Sequence, residues 1–109
     1  MAAEKNFENK IKKWLDDHGC YYVKFFANRM TKSGVPDILA SVKGYFVGIE
    51  VKAQNGRPSD LQIYNVHKIR ESGGFAYVVY PSGWEELEKI LDGLLHDNFT
   101  RLDEREVLK

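Results

Sequence analysis

The chain has 109 residues, 43% of them hydrophobic and 29% charged, and its sixteen Lys/Arg are balanced by sixteen Asp/Glu. That length supports one domain with one core, and no apolar run approaches the roughly 20 residues of a membrane span. A single cysteine, Cys20, excludes an internal disulfide and a Cys-rich zinc site, and an N-terminus without an apolar signal region leads us to expect a cytoplasmic protein.

In chain order, residues 4–18 place Phe7, Ile11, Trp14, Leu15 and His18 at three- and four-residue spacing, which predicts an amphipathic helix stopped by Gly19. Tyr21–Phe26 is aromatic and β-branched and predicts a strand, whereas residues 27–35 have no period and predict a loop. Strands over 37–42 and 45–53 form a hairpin about Lys43-Gly44. Gln54–Arg57 is a turn, and Pro58-Ser59-Asp60 opens a helix carrying Leu61, Tyr64, Val66 and Ile69 to a stop at Gly73-Gly74. Residues 75–80 are nearly continuously apolar, as in a strand inside a sheet. Ser82 is expected to cap a last helix over 83–95, with Trp84, Leu87, Ile90, Leu91, Leu94 and Leu95 on one side. Residues 1–95 are thus one domain, and 96–109 form a charged tail expected to be disordered or to lie at a subunit interface. The order α-β-β-β-α-β-α predicts an α/β (α+β) fold with a mixed central sheet flanked by helices.

The hairpin carries charges that packing does not ask for. Pairing about Lys43-Gly44 sets Asp37 directly opposite Glu50, and Lys52 shares their face because side chains alternate along a strand. Two facing carboxylates repel unless a cation lies between them, so the pattern suits a hard-metal site with a lysine beside it. Mg²⁺ (or Mn²⁺) prefers such oxygens and can activate water and neutralise a leaving group. The competing structural reading makes Asp37 and Glu50 cross-strand partners of Lys24 or Lys52. Zero net charge argues against a nucleic-acid partner, but its distribution softens the objection and fits either a site or a mixed solvated surface: residues 1–57 hold ten Lys/Arg against six Asp/Glu, and residues 58–109 the reverse. The basic half holds the carboxylate pair, as phosphate binding requires. His18, His67 and His96 lack metal-ligand spacing.

Pro36-Asp37 followed by Glu50-Val51-Lys52 resembles the signature of the PD-(D/E)xK nuclease superfamily. Together with Ser33-Gly34-Val35 before it, Asn55–Gln62 after it and the strand opened by Ser72-Gly73-Gly74, the pattern is similar to the VRR-NUC branch in its short, stand-alone phage form. The resemblance implies a restriction-endonuclease-like core and a metal-dependent endonuclease. Such an enzyme would cut branched DNA, for example Holliday junctions, leaving 5′-phosphate and 3′-hydroxyl ends in a phage or bacterial setting. By the same likeness, Asp37, Glu50 and the backbone carbonyl of Val51 would hold the metal, and Lys52 would orient or deprotonate water. Glu8, with Glu4 as fallback, would be the helix carboxylate, and Gln62 would position water or phosphate. Without the likeness, Glu8 is a surface partner of Lys12 and Gln62 an exposed helix residue. Lys24, Asn28, Arg29, Lys32 and Arg57 flank these groups and are candidate DNA-phosphate contacts. Cutting both strands of a symmetric junction calls for a homodimer, with the last helix or the tail as interface. The alternative function is a non-cleaving nucleic-acid-binding module with the same fold.

Overall fold

The hairpin about Lys43-Gly44 is present, and both residues take positive φ (54° and 89°), a two-residue turn whose twist matches that of paired strands. The computed structural model describes residues 2–26, 32–100 and 104–109. Helix α1 spans Ala2–Asp17, followed by β1 (Tyr21–Lys24), β2 (Ile38–Val42) and β3 (Tyr45–Val51). Then come α2 (Asp60–Glu71), β4 (Phe75–Val79), a 3₁₀ turn at Pro81–Gly83, α3 (Trp84–Leu95) and β5 (Val107–Leu108). The strands lie side by side in the order β1-β2-β3-β4-β5. The first three are antiparallel neighbours, whereas β3, β4 and β5 run parallel. The sheet is therefore mixed, as expected.

Alternation along the strands sorts their side chains between two layers. Ile38, Ala40 and Val42 of β2 and Val47, Ile49 and Val51 of β3 join Phe7, Ile11, Trp14 and Leu15 of α1 and Leu87, Leu91 and Leu94 of α3 in one core. On the opposite face, Ile63, Val66 and Ile69 of α2 pack on Ala76, Val78 and Tyr80. This close approach of α2 needs Gly48, where a Cβ would lie 3.0 Å from Ile69 Cδ1 and 3.2 Å from Pro36 Cγ.

Three expectations are corrected. Leu61 and Tyr64 are exposed; the packed stripe of α2 is Ile63, Val66 and Ile69, three residues apart and hence on one side of the helix. Ser82 does not cap α3. The cap position falls on Gly83, which makes no side-chain bond, while Ser82 accepts from Gln54 Nε2 through its Oγ and donates its N–H to Gln54 Oε1. The segment read as a charged tail returns to the sheet, where Val78 N–H donates to Glu106 O at 2.8 Å and Tyr80 N–H to Leu108 O at 2.9 Å. Phe99 and Leu108 anchor it on the core, and the pairing covers an apolar edge of β4 that would otherwise be open. Among the described residues no helix is long and apolar enough to cross a membrane.

Candidate active site

The register of β2 against β3 pairs Ile38 with Ile49, so one step further Asp37 faces Glu50, as the sequence predicts. The next step pairs Pro36 with Val51, and here the ladder fails for a covalent reason: proline has no N–H. Phe25 N–H donates to Asp37 O at 2.8 Å, which turns the Asp37 peptide groups toward β1 and leaves Ile38 and Pro36 to face β3. Val51 therefore has a carbonyl on the β2 side that Pro36 cannot serve, and its N–H is taken by Asp37 Oδ2 at 2.9 Å. N–H and C=O of one strand residue point the same way, so the Val51 carbonyl and the Asp37 carboxylate share an edge. Upstream, buried Asn65 of α2 donates to Ser33 O at 3.1 Å and Leu61 O at 2.8 Å, fixing the segment that delivers Pro36-Asp37. Asn65 escaped the sequence reading because a helical Asn carries no signal of what it will hold.

Glu50 is 2% exposed. Its Oε1 has no hydrogen-bond partner, and its Oε2 lies 3.4 Å from Lys52 Nζ. Burial, and then the negative charge of Asp37, push its carboxyl up to about 8, against the opposing pull of Lys52. At neutral pH without a metal, Glu50 thus holds its proton. Among the described residues no third His, Cys, Asp or Glu completes a metal-binding group. The available donors are two carboxylates and one backbone carbonyl, a sparse oxygen set of the kind Mg²⁺ accepts while keeping several waters.

Glu8 reaches this edge from the other layer. Lys24 Nζ lies 3.0 Å from Glu8 Oε1 and 3.4 Å from Asp37 Oδ1, a lysine bridge between α1 and the start of β2. Lys12 Nζ sits 2.8 Å and Lys5 Nζ 3.5 Å from Glu8 Oε2. Burial opposes the charge on Glu8, yet Lys12 and Lys24 outweigh it and hold the carboxyl at about 2. Burial likewise opposes the Lys24 charge, but Glu8 and Asp37 raise its pKa overall. The structure thus joins Glu8 and Asp37 through Lys24, and Lys24 meets carboxylates of its own chain.

The remaining candidates are more dispersed. Gln62 Oε1 accepts the Ser59 N–H at 2.8 Å while Ser59 Oγ accepts the Gln62 N–H at 3.1 Å, a capping box at the start of α2. Lys32 and Arg57 are exposed. Asn28 and Arg29 lie outside the described residues.

A family model for the archaeal Holliday junction resolvase (Hjc) matches residues 2–84. The chain belongs to this family. The matched span of the Hjc-family chain contains Glu8, Asp37, Glu50 and Lys52. It is similar in fold to a solved VRR_NUC domain, at 20% identity and a TM-score of 0.65, over 83% of this chain and 95% of that one. It is also similar to Hjc of Archaeoglobus fulgidus, a Holliday junction resolvase from an archaeal hyperthermophile, at 22% identity and a TM-score of 0.54, over 70% of this chain and 66% of that one. None of the curated proteins matches it. Both folds belong to the PD-(D/E)xK nuclease superfamily, which bears out the expected superfamily and core. Hjc proteins are structure-specific nucleases, and by membership the chain is a nuclease of that kind.

Proposed function

We propose that the chain is a metal-dependent endonuclease acting on branched DNA, with Asp37, Glu50 and the Val51 carbonyl holding a Mg²⁺ (or Mn²⁺) ion. The observation that carries this reading is Glu50 Oε1, a buried carboxylate oxygen without a partner, beside a second carboxylate. Such an oxygen costs stability in an apolar setting, and a divalent cation would satisfy it. When bound, the ion supplies positive charge at the attacked phosphate and makes a water more acidic. The chain's own groups do the rest. The Val51 N–H fixes the rotation of the Asp37 carboxylate. Lys52 brings an ammonium to the same edge, where it stabilises charge on a phosphoryl oxygen and orients the attacking water. Gln62 spends its carbonyl oxygen on the cap, so its amide nitrogen is the end that would meet water or phosphate. Lys32, exposed just ahead of Pro36-Asp37, would contact the DNA backbone.

A homodimer fits the two-fold symmetry of a four-way junction. An uncovered part of the sheet supports it. Tyr21, Ser41 and Phe46 form one cross-strand row, and Tyr21, Val23 and Phe46 are exposed there, on the face of the sheet that α2 covers only in part. This surface replaces the last helix and the tail as the proposed interface, since α3 and Leu108 of β5 spend their apolar side chains on the core.

The test is a panel of labelled four-way junctions, flaps, nicked and linear duplexes incubated with Mg²⁺, Mn²⁺ or EDTA. Cutting of branched DNA that EDTA stops and that Asp37→Asn or Glu50→Gln abolishes supports the proposal. Binding without cutting under every metal condition would instead make the chain a nucleic-acid-binding module. Val23→Glu tests the dimer by sedimentation.

A further inference from the structure

At the end of the sheet that carries the carboxylates, a cleft of about 610 Å³ opens between the turn after β3 and the end of β5. Its walls are residues 54–58, Tyr80 and Lys109. No acidic residue lines it, and both of its cations, Arg57 and Lys109, are exposed. Among the described residues neither has a carboxylate within ion-pair distance. Most other described lysines and arginines do, including Lys12, Lys24, Lys43, Lys52 and Arg105.

The walls are held in place. Tyr80 Oη donates to Gly56 O at 2.9 Å, and the Lys109 ammonium stands 4.6 Å from the centre of the Tyr80 ring. Gln54 is clamped to Ser82 by two hydrogen bonds. Pairing of β5 with β4 brings Lys109 to this place, through the bond from Tyr80 N–H to Leu108 O. The cleft also borders the proposed reaction centre, because a Cβ at Gly56 would lie 3.7 Å from Lys52 Cδ, and Lys52 Nζ pairs with Glu50.

We propose that this cleft is a phosphate subsite for the nucleic-acid strand beside the one held at the carboxylates, with Arg57 and Lys109 supplying its charge. This rests on the nuclease reading above and adds to it a second point of grip, built from the turn after β3 and the last strand. A guanidinium takes two phosphate oxygens at once and an ammonium adds a point charge. Contact with the backbone holds any base sequence equally and sets register on the duplex.

The experiment measures anisotropy of a labelled four-way junction and of a linear duplex across a salt series, in EDTA so that no cutting occurs. The proteins are wild type, Arg57→Ala, Lys109→Ala, the double variant, and Lys43→Ala at the far tip of the hairpin. Each cleft substitution is expected to weaken binding several-fold at any sequence. Each should also lower the slope of log affinity against log salt by about 1, while Lys43→Ala stays at wild-type values. A double variant with the wild-type slope, or an equal loss in Lys43→Ala, overturns the subsite and leaves the nuclease reading standing. A wild type that binds no DNA overturns both. Inorganic phosphate is the second probe: if it raises the melting temperature through Arg57 and Lys109 while DNA slopes do not move, the cleft takes free phosphate and the strand assignment falls.

Discussion

Val51 gives its backbone N–H to the Asp37 carboxylate at 2.9 Å, at the one rung of the β2–β3 ladder where the opposite residue, Pro36, has no N–H to return. One proline thus does two things. It ends β2 without an unsatisfied donor of its own, and it leaves the Val51 carbonyl beside the Asp37 side chain. The same strand end thus carries the Asp37 carboxylate and the Val51 backbone, with Glu50 opposite Asp37.

Glu50 makes the stability of the metal-free protein depend on pH. Its carboxyl titrates near 8 in the fold, against 4.5 for the unperturbed group. Between those values the unfolded chain binds fewer protons, so stability falls as pH rises from about 4.5 to about 8 and then levels, by an amount on the order of a few kcal/mol. A divalent ion binds the ionised form, so its affinity should rise over the same window with release of a proton. Thermal melts with and without Mn²⁺ at pH 5 to 9 check this. Glu50→Gln should melt above wild type at pH 8 without metal and gain nothing from Mn²⁺; a wild-type melting temperature indifferent to pH contradicts the assignment.

Lys24 and Glu8 should behave as a coupled pair. Lys24→Met leaves buried Glu8 with Lys12 and Lys5 and removes the ammonium next to Asp37, a loss on the order of 2 kcal/mol. The double variant Glu8→Gln/Lys24→Met should cost less than the two singles together. Urea melts of the four proteins measure the coupling, and strict additivity would show that the two do not interact.

Gln62 can be tested for its two roles separately. Gln62→Ala breaks the capping box and should cost about 1 kcal/mol. Gln62→Glu keeps the box, since glutamate also serves at that position, but replaces the amide nitrogen with a negative oxygen. If that amide meets phosphate or water, Gln62→Glu retains wild-type stability and cuts about tenfold more slowly or worse. Wild-type cutting by this variant would confine Gln62 to the cap.

Gly48 keeps α2 seated. Gly48→Ala would place a methyl 3.0 Å from Ile69 and 3.2 Å from Pro36, costing about 1–3 kcal/mol by overpacking. Displacement of Pro36 would carry Asp37 with it, so cleavage should fall further than stability alone explains. Equal losses in both, measured below the melting temperature, would show that Pro36 does not move.

Much of the site was legible because it is local. Asp37, Glu50 and Lys52 belong to one hairpin whose turn residues set the register, and strand alternation then decides which side chains share a face. The helices were legible for the same reason, since their apolar spacing repeats within a few turns. Besides Asn65 and the Ser82 cap, two larger features escaped. Which face of α2 meets the sheet is set by packing rather than by where the helix starts, which left Leu61 and Tyr64 outside the core. Strand β5 has two residues and no periodicity of its own.

By itself the sequence determined the order of elements as far as α3, the hairpin register and the pairing of two carboxylates across it, because each follows from backbone geometry over neighbouring residues. Only the tertiary structure decided that Glu8 meets Asp37 through Lys24 and that the last strand delivers Lys109 to the edge where Lys52 lies. Those contacts join residues far apart in the chain, and which of them form depends on how α1, α2 and β5 pack on the sheet.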